Sequence, residues 1–294
     1  MNIQPRQRAM RREGYALIAP LTAFLLILLG FPLVLDLIYS VSKVGFETIR
    51  SPEITGLGNY STALSDRELW AAAWFSLRFG FLVAAIEMAA GLGLAIFLAP
   101  LLERQPWLIA FLMLPMMVAP ALVGLMYRLI LHEFVGVVPY YLMLWWGDTP
   151  AFLDYANAFK TLVVIESLQW TPFALLILHS AYAAIPVELR DAAALDGATT
   201  LKRLAWVDLP LMAPAAAATF FIRFIDSFRV FDNIYTLLGA GAGGSTTSMS
   251  IYIYQAFFKV GDIGLAVAAS MLLLGGSFAV LYLLNRLGAG AATS

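Results

Sequence analysis

The sequence contains no cysteine and only two histidines among its 294 residues. The lack of cysteine excludes disulfide bonds, thiolate metal sites and cysteine nucleophiles. The histidines, His132 and His179, lie on different segments and do not form a cluster. Charged residues make up only 13% of the chain, and the net charge is −1. Such a chain offers no basic surface for nucleic acid, so nucleic-acid binding is excluded as well.

Common catalytic motifs are also missing. The sequence has no His-Glu-x-x-His zinc motif and no Gly-x-Ser-x-Gly nucleophile motif. No lysine stands in a Gly-x4-Gly-Lys-Ser/Thr phosphate-binding loop, so the chain cannot form that ATP site itself. A catalytic carboxylate pair is conceivable from Asp226 and Asp232, although an arginine accompanies each of them. A membrane-embedded enzyme therefore stays an alternative hypothesis, beside a passive channel.

Apolar residues are abundant instead, at 61% of the chain with a mean hydropathy of +0.82. Soluble domains are about half apolar and about a quarter charged, so this composition predicts an integral membrane protein. An apolar run of about 20 residues is long enough to span a bilayer as a helix. We predict six such spans, at about 15–39, 70–99, 107–131, 159–183, 211–238 and 262–285.

The arginines near the N-terminus indicate the orientation. Arg6, Arg8, Arg11 and Arg12 precede the first apolar run, and basic residues favour the cytoplasmic side. The run itself is too long for a signal-peptide core, so we expect a retained helix. Six spans then place both termini and the loop at 184–210 in the cytoplasm. We expect a tail at 1–14 and a transmembrane domain at 15–294.

The loop at 184–210 is the longest polar interruption between apolar segments in the second half of the chain. Pro186 suits the first turn of a helix, and Gly197 follows where a left-handed residue would end it. A second short helix is predicted from Thr200 to Val207, before Pro210 opens the next apolar run. Four residues share one face of the first helix at the spacing i, i+3, i+4, i+7: Leu189, Ala192, Ala193 and Asp196.

This loop resembles the cytoplasmic "EAA" loop of permease subunits in ABC importers. The family pattern is an acidic residue, two alanines, a glycine four residues later and a downstream Leu-Pro. The matching residues here are Asp191, Ala192, Ala193, Gly197 and Leu209-Pro210, with Asp191 in place of the usual Glu. The resemblance implies that Asp191, Ala192, Ala193, Asp196 and Gly197 dock into the ATP-hydrolysing subunit and couple it to transport. The alternative is an ordinary cytoplasmic loop.

Further stretches resemble the carbohydrate-importing, maltose-type branch of that family, and together they cover most of the chain. That branch usually has Gly-Gly-Pro after the fifth span, whereas this chain has GAGAGG at 239–244. The resemblance implies an all-α polytopic protein with the type I importer (MetI-like) permease fold. The matching stretches are Pro20 and Pro32 in the first span, GLGNY at 56–60, LPMMVAP at 114–120, QWTPF at 169–173, RFIDSFRVFDNIY at 223–235 and GLAVAASM at 264–271.

The resemblance also implies the function and the partners. The chain would be the permease subunit of a sugar importer in a bacterial cytoplasmic membrane, working by alternating access. It would form a heterodimer with a second permease and assemble with two ATP-binding subunits and an external solute-binding protein. ATP and Mg would lie on the ATP-binding subunits, with no cofactor on this chain.

Charged residues recur within the fifth span, where they are costly and usually functional. Arg223, Asp226, Arg229 and Asp232 alternate in sign every three residues, so Arg223–Asp226 and Arg229–Asp232 can pair along one helix. We assign no role to Glu87 in the second span. These pairs either contact substrate or only neutralise each other, and Arg223 contacting an anionic group is a further possibility.

In the fourth span, Glu166, Gln169 and Trp170 share a face. Polar groups beside a flat ring suit a sugar, which has hydroxyls at its edges and C–H groups on its faces. The cargo stays open among disaccharides, polyols, and phosphorylated or sulfonated sugars. By resemblance, and by position only, the substrate site would comprise Met116, Glu166, Gln169, Trp170, Arg223, Asp226, Ser227 and Val230.

Overall fold

The computed structural model describes residue 15, residues 17–239, residue 241 and residues 244–291. The predicted tail at 1–14 lies outside the described residues, as do positions 240, 242 and 243 of the GAGAGG stretch. The described chain is mostly helical, which confirms the all-α prediction. Its α-helices are α1 Leu17–Ser40, α2 Gly58–Ser65, α3 Arg67–Arg104, α4 Trp107–Leu112, α5 Leu114–Met117, α6 Pro120–Ile130, α7 Val137–Trp146, α8 Ala158–Ala183, α9 Val187–Leu195, α10 Thr200–Phe228, α11 Asp232–Leu238, α12 Met249–Tyr254 and α13 Ile263–Ala291. A π-helical segment, Gln255–Val260, follows α12 in the chain.

Five of the described helices are long and apolar enough to cross a membrane: α1, α3, α8, α10 and, over Ile263–Tyr282, α13. The predicted third span, 107–131, is instead divided among the short helices α4, α5 and α6. Pro115 and Pro120 stand in the first turns of α5 and α6. Proline lacks the N–H that would continue the preceding helix, so each of them starts a new helix.

The sequence predicted that the second helix of the polar loop would end before Pro210. In the structure this helix continues through Pro210 into the fifth span, as α10. Residues Leu204–Asp208 form a π-helical turn between the α-helical segments Thr200–Arg203 and Leu209–Phe228. Pro210 cannot donate a backbone hydrogen bond, and a widened turn ahead of it lets the helix continue without that bond. The loop is therefore joined to the fifth span by an unbroken helix.

The chain divides into two compact units. The first contains the described residues up to Asp66 together with Ala256–Leu272. In it, β1 (Ser42–Lys43) pairs antiparallel with β2 (Glu53–Ile54). The Asn59 side chain donates to the Ser40 and Ser42 carbonyls at 3.0 and 2.8 Å. Asn59 belongs to the matching stretch GLGNY, so this stretch helps to hold the start of β1 in place.

The second unit contains Arg67–Gln255 and the described residues from Leu273 onward. Within it α3 packs against both α8 and α10. Glycines allow this close approach, because a Cβ at Gly91 would come within 2.7 Å of the Ala174 Cβ on α8. A Cβ at Gly80 would come within 3.0 Å of the Phe228 backbone nitrogen on α10. The helix α3 is thus the centre of this unit.

A second interruption lies between α10 and α11, where Arg229, Val230 and Phe231 leave the helix. The prediction of one helix through 238 is therefore wrong at these three residues. The freed carbonyls have partners, since Ser250 Oγ donates to Arg229 O at 2.8 Å and Ser248 Oγ donates to Val230 O at 2.7 Å. An interrupted helix in an apolar segment requires such substitutes for its lost backbone bonds.

Candidate functional site

Two helix interruptions border the same cavity. One lies at Val118–Ala119 between α5 and α6, and the other at 229–231 between α10 and α11. Irregular backbone in an apolar protein is tolerated where it is buried or lines a cavity. A cavity of about 380 Å³, called the polar cleft below, is lined by Pro120, Glu166, Trp170, Asp226, Arg229, Val230, Phe231, Asp232 and Asn233.

Arg223 of α10 lies behind the polar cleft with its side chain only 3% exposed. Its Nε and Nη2 donate to both carboxylate oxygens of Glu87 on α3, at 2.6 and 3.0 Å. Its Nη1 donates to Asp226 at 2.7 Å, and Nη2 also lies 3.3 Å from Ser227 Oγ and 3.5 Å from Glu166. The guanidinium group is thus engaged on every nitrogen.

The flat face of the same guanidinium group is covered by Trp170 of α8, whose ring centroid lies 4.5 Å from Arg223 Cζ. A guanidinium cation over an indole ring is attracted by the ring's negative face. Trp170 is half-buried and also lines the polar cleft, so its position depends on Arg223. The ion cluster therefore orients an aromatic side chain of the cleft wall.

A chain of amides links the two interruptions. Asn233 of α11 donates through Nδ2 to Glu166 and, at 3.0 Å, to Gln169 Oε1. Gln169 in turn donates through Nε2 to the Val118 carbonyl at 3.0 Å, which satisfies the acceptor freed by the break before α6. These side chains are buried, so each missing bond would leave a costly unpaired group. The network fixes both broken helices against α8.

The structure brings most of the sequence-predicted substrate residues into one cluster. Their role in binding substrate stays a prediction, but their positions fall into three groups. Glu166, Trp170, Asp226 and Val230 line the polar cleft; Gln169, Arg223 and Ser227 are buried behind it; and Met116, on α5, is half-buried outside its lining.

The predicted pairing along the fifth span is only half correct. Arg223 does pair with Asp226, but Arg229 also pairs with Asp226, at 3.4 Å, and not with Asp232. The interruption at 229–231 is the reason, because it breaks the three-residue spacing between Arg229 and Asp232. For the same reason Val230 does not share a helical face with Arg223. Asp232 is exposed and makes no ion pair in the described part of the chain.

Two residues of this site were not assigned by the sequence. Glu87 had no role, yet it is the principal partner of Arg223 from a helix 136 residues away in sequence. Asn233 was not singled out, since a lone Asn gives no periodic signal. A buried acid in one apolar segment and an arginine in another are the only sequence signs of such a pair.

The polar loop at 184–210 forms two helices joined at a left-handed glycine, as predicted. α9 is preceded by Pro186, and Gly197 has φ +76°. The Gly197 and Ala198 amides donate to the Ala194 and Ala193 carbonyls at 3.0 and 2.9 Å, which closes the helix end. Thr199 then caps the next helix through its hydroxyl, which accepts from the Lys202 amide.

A charged contact that the sequence did not suggest holds this loop to α10. Arg190 Nε donates to Asp208 at 3.0 Å, and Arg190 Nη2 donates to the Tyr182 carbonyl at 3.0 Å. The Arg190 guanidinium also lies 4.0 Å from the Tyr182 ring centroid. Asp208 is fully buried in the π-helical turn. One side chain thus ties α9 to the end of α8 and to the start of the fifth span.

Comparison with known proteins agrees with this architecture. The chain is 32% identical over 279 residues to the Trehalose/maltose transport system permease protein MalF of Thermococcus litoralis, covering 92% of each chain. It is 29% identical over 288 residues to the Trehalose transport system permease protein SugA of Mycobacterium tuberculosis, covering 97% of this chain and 91% of the relative.

The fold has a solved counterpart. It superposes with a TM-score of 0.83 on a chain of a bacterial alginate ABC transporter, in complex with a pentasaccharide-bound periplasmic protein. The two chains are 19% identical, and the match covers 97% of each, so this likeness concerns the fold. The family description "Binding-protein-dependent transport system inner membrane component" matches residues 91–290. The chain therefore belongs to this family of ABC importer permeases, whose members are membrane-embedded translocation subunits and not ATPases.

Proposed function

We propose that the chain moves a sugar or sugar derivative into the cytoplasm by ATP-driven alternating access. The observation that carries the proposal is the polar cleft between two helix interruptions. Discontinuous helices of this kind form substrate sites in many transporters, because their backbone and side chains can exchange partners with a ligand. Carboxylates and an amide beside the Trp170 ring suit the hydroxyl edges and C–H faces of a sugar.

The names of the relatives support the same substrate class. Trehalose and maltose are named for the relative from Thermococcus litoralis, and trehalose for the one from Mycobacterium tuberculosis. Both relatives match over nearly the whole chain, including the segments that line the polar cleft. A hydroxyl-rich ligand is therefore the best-supported cargo for this chain.

The loop at 184–210 would receive the movement of the ATP-hydrolysing subunit through Asp191, Ala192, Ala193, Asp196 and Gly197. Its attachment to α10 supports this role, since α10 carries Arg223 and Asp226 at its far end. A displacement of α9 would thus reach the polar cleft through one continuous helix. We propose that closure of the ATPases moves this helix and opens the cleft alternately to each side.

The complete transporter would contain a second permease chain, two ATP-binding subunits that hold ATP and Mg, and an external solute-binding protein. This chain would bind no cofactor of its own. It would lie in the bacterial cytoplasmic membrane with both termini and the loop at 184–210 on the inner side, as its basic residues favour.

The test is the ATPase activity of the chain co-expressed with the products of its neighbouring genes. The purified complex would be reconstituted with the binding protein and a panel of sugars. We expect one solute to stimulate ATP hydrolysis and to accumulate inside vesicles. If no ATPase subunit co-purifies, the proposal fails, and a passive channel or membrane-embedded enzyme becomes the better hypothesis.

A further inference from the structure

The lining of the polar cleft contains more side chains that accept hydrogen bonds than side chains that donate them. Asn233 lines the cleft and is only 2% exposed. Its Oδ1 atom has no hydrogen-bond partner among the described residues. Both Nδ2 bonds of this amide go to Glu166 and Gln169, so the oxygen is left on its own. A buried acceptor without a partner is costly, and a ligand hydroxyl at this wall would satisfy it.

Carboxylates add to this set of acceptors. Asp232 lines the cleft without an ion-pair partner in the described chain, and the Asp226 side chain is 38% exposed. The donor side is represented by Arg229, whose side chain is 66% exposed and, among the described residues, makes a single bond, to Asp226 at 3.4 Å. Arg229 therefore keeps most of its five N–H groups for a ligand.

Arg223 supplies no free positive charge to the cleft. Its three nitrogens are bound to Glu87, Asp226, Glu166 and Ser227, and its face is covered by the Trp170 ring. An anion could reach it only by displacing one of these carboxylates. The sequence left open that Arg223 contacts an anionic group; its geometry argues against this.

The formal charge of the cluster points the same way. Behind the cleft Arg223 pairs with Glu87, while Asp226 and Asp232 on the accessible wall face one guanidinium group, that of Arg229. The accessible charged side chains thus have a formal excess of one negative charge. In a cavity partly shielded from water, a further negative charge would be repelled over several ångströms.

We propose that the polar cleft binds an uncharged, hydroxyl-rich ligand, with Arg229, Asp232 and Asn233 as direct contacts, and that it rejects phosphorylated, sulfonated and carboxylated sugars. A hydroxyl group both donates and accepts, so it can satisfy Asn233 Oδ1 or Asp232 and also accept from Arg229. A phosphate, sulfonate or carboxylate group at this wall would instead place a negative charge beside the Asp226 and Asp232 carboxylates. The inference rests on the proposed function and narrows its substrate class.

The experiment measures equilibrium binding to the assembled transporter in lipid nanodiscs without binding protein, so that the binding protein cannot impose its own selectivity. The radiolabelled probes are trehalose, maltose and sorbitol, each beside its phosphate monoester. We expect at least one neutral probe to bind, and its phosphate to bind about tenfold or more weakly. Asp232→Asn removes one negative charge and should bring the two affinities several-fold closer.

Asp148→Asn is the matched control, because Asp148 is an exposed residue that does not line the polar cleft. It should leave the ratio of affinities unchanged. Equal or tighter binding of a phosphate probe would overturn the inference, as would an Asp232→Asn variant with an unchanged ratio. Binding of no probe by a complex that still transports sugar would remove the cleft as the ligand site. A complex without sugar-stimulated ATPase activity would instead contradict the proposed function.

Discussion

Glu87 and Arg223 form a bidentate ion pair between α3 and α10, with N–O distances of 2.6 and 3.0 Å. Both side chains are almost completely buried, at 0% and 3% exposure. A buried charge without its partner costs far more than the pair gains over an apolar substitute. The pair therefore specifies how these two helices pack, and it also fixes the guanidinium group beneath Trp170.

Replacing Glu87 should expose this dependence. We expect Glu87→Ala to lower the free energy of unfolding by about 3–5 kcal/mol, because it leaves the Arg223 charge without its main partner. Glu87→Gln should cost less, since the amide oxygen can still accept one hydrogen bond. Thermal unfolding of the complex in detergent would measure both.

Glu133→Gln is the control for the loss of a carboxylate, since Glu133 is exposed. It should leave the unfolding temperature within error of the original. An unchanged unfolding temperature in Glu87→Ala would mean that Arg223 is stabilised by its other partners alone.

A second prediction concerns the tie between the loop and α10. Asp208→Asn should weaken the Arg190 contact and loosen α9 from the fifth span, because a neutral amide binds a guanidinium group less strongly. We expect several-fold less transport per ATP hydrolysed, with the subunits still assembled. Parallel assays of uptake and ATP hydrolysis would show this.

The control is Lys202→Ala, which removes an exposed charge of the same loop. Lys202 forms no ion pair among the described residues, so this variant should leave the ratio of transport to hydrolysis unchanged. A normal ratio in Asp208→Asn would show that the backbone alone transmits the movement.

Gly197 provides the third prediction. Its φ of +76° is a left-handed conformation that costs other residues about 1–2 kcal/mol, although a Cβ there would meet no atom within 4 Å. We expect Gly197→Asp to assemble and hydrolyse ATP but to lose most of its uptake, since the altered turn would disturb docking to the ATPase.

Gly147→Asp is a matched control for that strain. Gly147 has φ +73° and equally open surroundings at the end of α7, outside the loop at 184–210. The Gly147→Asp variant should lose about as much stability as Gly197→Asp but should still couple ATP hydrolysis to transport. Normal uptake in Gly197→Asp would contradict the coupling role of the loop.

The sequence predicted the features that depend on local chemistry. Long apolar runs gave the spans α1, α3, α8, α10 and α13, and Asp196-Gly197 gave the loop's left-handed turn. Both follow from the properties of neighbouring residues, and so they can be read from one chain.

The interruptions of the fifth span, between α10 and α11, and of the third apolar run were not predicted. Whether a helix breaks at Val118 or Val230 depends on partners outside that helix. Here Gln169 and Ser248 donate to the Val118 and Val230 carbonyls, which have lost their helical hydrogen bonds. The Glu87–Arg223 pair depends in the same way on how two remote helices meet. Such contacts are tertiary, and periodicity along one segment carries no information about them.

The last prediction tests the packing of α3 on α8 with two glycines of one helix. A Cβ at Gly91 would lie 2.7 Å from the Ala174 Cβ and 2.9 Å from the Leu175 amide nitrogen, whereas a Cβ at Gly93 would meet nothing within 4 Å. Gly91→Ala must therefore push the helices apart, and overpacking of this kind costs about 1–3 kcal/mol. Gly93→Ala should be neutral or stabilising by up to about 1 kcal/mol, since alanine favours the helix. Thermal unfolding of the two variants side by side measures the difference, and equal stability would mean that α3 and α8 are not in close contact at Gly91.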